Sequence, residues 1–167
     1  MLFLVHLVGA VVYYDIRYRR IPNGLIVVGL LMGLVYQVRH FRLAGLAAYG
    51  AGVLFPVAVL GFLYYFRMMG AGDIKLLSVI GGFLGPFQGF LCIIYTFLIG
   101  GAIAVALLFK RRIFFKRIHY FRDYVFQYLQ TRQWSPYMQP KDEEGSLYFS
   151  IPVFISLFCF WGVFIDK

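Results

Sequence analysis

The chain has 167 residues, 62% of them hydrophobic and 14% charged, with a mean hydropathy of +0.78. That composition excludes an ordinary soluble globular domain and points to an integral membrane protein. Sixteen Lys and Arg against seven Asp and Glu give a net charge of +9, but the cations cluster between apolar stretches, which is the pattern of loops facing anionic lipid and not of a nucleic-acid surface.

In chain order, the apolar segments predict an all-α, polytopic membrane protein of one domain over residues 1–167, with about six transmembrane helices at 2–15, 23–38, 43–66, 73–84, 87–109 and 147–165. The N-terminal stretch MLFLVHLVGAVVYYDIRYRR has its charges after the apolar run and no small-residue cleavage site, so it is expected to be a retained first helix. The first and fourth segments hold only about 12 to 14 residues, roughly 20 Å of helix against a hydrocarbon core of roughly 30 Å. Each carries an aspartate at one end, Asp15 and Asp73.

With the N-terminus outside, thirteen of the sixteen cations fall on cytoplasmic loops and flanks, leaving Arg39, Arg42 and Lys167 on the other face. The first helix then ends, and the fourth begins, on the cytoplasmic side, so Asp15 and Asp73 are expected at one membrane depth although 58 positions apart. Residues 110–146 form the one long loop. Within it Phe114, Ile118, Phe121, Val125 and Tyr128 recur at spacings of three and four, which predicts a cytoplasmic amphipathic helix lying along anionic headgroups.

Position separates the acids. Asp142, Glu143 and Glu144 lie in a polar loop, Asp166 at the far end of the last helix, and Asp123 on the basic amphipathic segment. Asp15 and Asp73 border hydrocarbon, where a carboxylate is costly and a functional role is the first suspicion. Each has a plainer reading: Asp15 pairing with Arg17, Arg19 or Arg20, and Asp73 capping the fourth helix. Taken together they suggest a dyad, because two close carboxylates resist joint ionisation, one keeping a proton while the other takes one from water. Gly70 and Gly72 would let an extended substrate backbone approach Asp73. Lys75 either favours the ionised form of Asp73 or holds the loop to phosphate headgroups. His6, His40 and His119 are scattered, and Cys92 and Cys159 form no CxxC pair and read as packing residues, so no metal and no cofactor is expected.

The motifs DIRYRRIPN (Asp15 to Asn23) and GAGDIKLL (Gly70 to Leu77), the latter continued by GGFLG (Gly81 to Gly85), together resemble those of the prepilin peptidases, the GxGD aspartic proteases of type IV pilus systems. The resemblance covers nearly the whole chain. It implies that Asp15 and Asp73 are the catalytic pair and that the substrate is a prepilin-like membrane protein whose short basic leader is removed at the cytoplasmic face of the inner (plasma) membrane. With no CxxC-bearing segment, the chain is similar to the compact Tad-type or preflagellin peptidases, which does not imply N-methylation. YFSIPVF (Tyr148 to Phe154) resembles only loosely the family's last helix and is assigned to packing. A presenilin-like protease is a second enzyme reading, disfavoured by the short chain and the absence of a Pro-Ala-Leu motif. A proton-coupled transporter or assembly scaffold is a third, disfavoured because both aspartates fall toward one face and not at the midplane. Oligomeric state is not legible.

Overall fold

The structure is a computed structural model and describes residues 2–66, 68–110 and 148–164. The expected amphipathic helix, the loop acids and Asp166 lie outside the described residues. The chain falls into two compact units, Met1–Gly100 with Tyr148–Lys167, and Gly101–Leu147. Among the described residues, those that line the site belong to the first unit. Of the second, the described part is the end of one helix.

Among the described residues the expectation of an all-helical fold holds, with five helices: α1 (Leu2–Tyr18), α2 (Asn23–Tyr65), α3 (Ala71–Leu84), α4 (Pro86–Lys110) and α5 (Ser150–Phe164). Two are long and apolar enough to cross a membrane, α2 and the Pro86–Leu107 stretch of α4.

In α1 the buried residues Leu4, Leu7, Val8 and Val11 mark one face at spacings of three and four. Asp15 lies four residues past Val11, so the register that buries the stripe also turns the aspartate inward. Arg19, the residue after α1, is held at φ 51, and its amide N–H donates to the Asp15 carbonyl at 2.8 Å. The chain then turns through Ile21 and Pro22 into α2.

The 43 residues of α2 are not one rod. Arg42 has φ 53 and ψ −130 and interrupts the helix, and the Tyr49 hydroxyl donates to the Leu30 carbonyl at 2.9 Å. Nineteen residues of continuous helix would span about 28 Å, so the chain doubles back at Arg42. The second and third expected segments are thus the two arms of α2, each roughly the 20 residues that a hydrocarbon core requires.

α3 is buried on all sides from Leu76 to Leu84, as expected of a helix wrapped by others. Its closest neighbour is α2, at Gly52 and Gly81. A Cβ on Gly52 would lie 2.1 Å from the Gly81 carbonyl oxygen, and one on Gly81 2.2 Å from that of Gly52. This backbone-to-backbone approach needs glycine on both sides.

α5 packs against α1 and is fastened to α4 by buried hydroxyls. Thr96 Oγ1 and Ser156 Oγ lie 2.7 Å apart, and each is 2.8 Å from a backbone carbonyl, that of Cys92 and that of Val153 respectively; one hydroxyl donates to the other, which gives its own proton to its carbonyl. Each hydroxyl therefore has a partner in a setting where water cannot serve. Cys92 is buried and Cys159 exposed, and both are free.

Candidate active site

Asp15 lies one turn inside the end of α1, and Asp73 is the third residue of α3. Both helices run past the ends expected from hydropathy, because α1 continues to Tyr18 and α3 starts at Ala71. Hydropathy marks where apolar residues stop, whereas backbone hydrogen bonding carries a helix on through polar ones. Gly70, and not Asp73, holds the N-cap position of α3.

The two aspartates line one cavity of about 340 Å³ together with Arg19, Arg20, Ile21, Asn23, Gly70, Gly72 and Lys75. Both are half-buried, and they are near enough for the charge of Asp15 to act on Asp73. All five residues singled out in the sequence, Asp15, Gly70, Gly72, Asp73 and Lys75, therefore meet in one place, drawn from α1, α3 and the segment before α3.

Local packing explains how the two motifs are held together. A Cβ on Gly72 would sit 3.2 Å from Ile21 Cδ1 and 3.3 Å from Ile21 Cβ, so the glycine makes room for the turn that follows Asp15. A Cβ on Gly70 would lie 3.1 Å from Asp73 Oδ2, so this glycine leaves space for the carboxylate itself. Lys75 Nζ donates to Asn23 Oδ1 at 3.0 Å. Each of these three contacts lies within a motif or joins one motif to the other, and all three border the cavity.

Asp15 has a further partner that the sequence did not reveal. Ser150, the first residue of α5, donates from Oγ to Asp15 Oδ2 at 2.5 Å across a sequence separation of 135. Among the described residues the Asp15 carboxylate forms no ion pair with Arg17, Arg19 or Arg20. The only local signal for Ser150 is its position two residues ahead of Pro152, at a helix start.

Beside the acidic cavity a second one of about 480 Å³ is lined by Tyr64, Tyr65, Met68, Met69 and Gly70. Gly70 borders both. Among the described residues no three His, Cys, Asp or Glu side chains gather as a metal site would require.

Helices able to cross a membrane, with two carboxylates from separate helices in one cavity, define a membrane protein built around an acidic pair. The sequence model of the Type IV leader peptidase family matches residues 2–105, well over half of the chain and including both aspartate motifs. The chain belongs to that family, whose activity is that of an aspartic-type peptidase. No curated protein and no solved structure matches the chain significantly.

Proposed function

We propose that this protein is a membrane aspartic endopeptidase that removes the basic leader from type IV prepilin-like precursors. In this reading Asp15 and Asp73 are the catalytic pair, the chain crosses the inner (plasma) membrane six times, and the cavity opens to the cytoplasm. The observation that carries the proposal is the meeting of Asp15 and Asp73 in one cavity from helices 58 positions apart. The positive-inside bias supports the orientation.

The chemistry follows from the pair. One carboxylate, ionised, takes a proton from a water held between the two, and the water oxygen bonds to the scissile carbonyl carbon. The other carboxyl group gives its proton to the carbonyl oxygen. In the tetrahedral intermediate so formed, the amide nitrogen takes the proton held by the first carboxyl as the C–N bond breaks, and the returning carbonyl gives its proton back to the second. The products are a carboxylic acid on the leader and an amine on the mature chain, and the dyad is restored. The aromatic and methionine-lined cavity next to Gly70 offers an apolar surface for the substrate helix beside the scissile bond.

Co-expression with a prepilin-like substrate tests the proposal. Asp15→Asn and Asp73→Asn, each confirmed as inserted, are expected to abolish leader removal. Full processing by either variant would sink the dyad.

A further inference from the structure

Hydrolysis by a carboxylate pair requires that each group be aimed, and an aspartate on a helix rotates about χ1 and χ2 unless its neighbours hold it. For Asp15 the described holder is Ser150, through its hydrogen bond to Oδ2. Ser150 is fully buried at 0% exposure, so water does not compete for its hydroxyl. Its own seat is fixed. Pro152 and Val153 are buried, a Cβ on Gly100 of α4 would touch Pro152 Cγ at 3.4 Å, and the Ile151 amide donates to the Tyr148 carbonyl at 3.1 Å. One turn further along, Ser156 is bonded to Thr96 of α4. The start of α5 is therefore anchored on α4 while its first side chain reaches α1. Ser150 lies outside the stretch that matches the family.

We infer that Ser150 is a positioning residue for the peptidase reaction: its hydroxyl occupies Oδ2 of Asp15 and fixes the carboxylate so that the remaining oxygen, Oδ1, addresses the cavity shared with Asp73. The inference rests on the proposed dyad. It assigns α5 a part in catalysis beyond packing, since the last helix closes the site by orienting a residue of the first. Without the hydroxyl, Asp15 can turn, while Arg19, Arg20, Gly70, Gly72 and Lys75 still line the cavity. The chemical step should suffer and substrate binding should not.

The test is steady-state cleavage of a prepilin-like substrate by the purified full-length protein in lipid, comparing wild type with Ser150→Ala, Ser150→Thr and Ser150→Cys. The expected result is a fall in kcat of about tenfold or more for Ser150→Ala, the size of a lost hydrogen bond to a charged group, with KM within about twofold. Ser150→Thr, which keeps the hydroxyl, should recover most of kcat. Ser150→Cys nearly keeps the volume but offers only a weak donor; it should behave like the alanine variant and carries the test if that variant does not fold. Wild-type kcat in either variant, a rise in KM alone, or a threonine variant as impaired as the alanine one would overturn the inference. Asp15→Asn and Asp73→Asn run alongside: activity in either would remove the dyad, whereas their inactivity beside a fully active Ser150→Ala would remove only the role of Ser150.

Discussion

The Lys75 ammonium of α3 donates an N–H to the side-chain oxygen of Asn23, the first residue of α2, at 3.0 Å. This bond spans 52 positions and ties the helix that carries Asp73 to the turn that follows Asp15. Because both residues are exposed, its worth to stability is about 1 kcal/mol or less. A double-mutant cycle should show coupling: Lys75→Met and Asn23→Ala each lower the unfolding midpoint slightly, and the double variant is no worse than the weaker single. Additive losses in thermal unfolding would mean that the bond does not form in the membrane.

Gly72 and Ile21 set how closely the two motifs approach. A methyl at position 72 would lie 3.2 to 3.4 Å from the Ile21 side chain, tight enough to require a shift of a few tenths of an ångström. Gly72→Ala is expected to reduce cleavage several-fold, and Ile21→Val, which removes Cδ1, should recover part of the loss in the double variant. Equal activity in all three would show that the spacing of the motifs is slack.

The crossing of α2 and α3 allows no such adjustment, because a methyl added at Gly52 or Gly81 would meet a backbone carbonyl oxygen at 2.1 or 2.2 Å. Gly52→Ala or Gly81→Ala should cost at least the roughly 1 to 3 kcal/mol of overpacking and sharply reduce folded protein. Gly61→Ala is the contrasting case, since nothing lies within 4 Å of an added methyl. Helix propensity favours alanine there by about 1 kcal/mol. Fluorescence-detected size-exclusion of the detergent-solubilised variants separates these outcomes.

Thr96 and Ser156 should couple across α4 and α5. Interhelical hydrogen bonds in membrane proteins contribute on average about 0.6 kcal/mol, so Thr96→Val should destabilise by about that amount. Ser156→Ala should add little once Thr96 is gone, because the Thr96–Ser156 bond is then already lost. Unfolding of both single variants and the double variant in mixed micelles checks this, and a strictly additive pair would contradict the bond.

The sequence by itself determined the class of molecule and the acids of interest. Hydropathy, charge asymmetry and short motif spacings are properties of consecutive residues. They sufficed to expect membrane-crossing helices, to separate Asp15 and Asp73 from the five other acids, and to expect the two at one depth. The tertiary structure decided what those residues touch. Gly70 and Gly72 read in sequence as clearance for a substrate; in the fold the space they leave borders the Asp73 carboxylate and the Ile21 side chain. Lys75 reads as a partner for Asp73 or for phosphate headgroups, and in the fold it meets Asn23. YFSIPVF reads as packing, and Pro152 and Val153 are indeed buried, yet Ser150 in the same stretch reaches Asp15. A contact across 135 positions leaves no periodicity and no local motif, since it depends on the rotation of α5 about its own axis. That rotation is set by the packing of Pro152 against α4 and by the Thr96–Ser156 bond, which only the assembled bundle supplies.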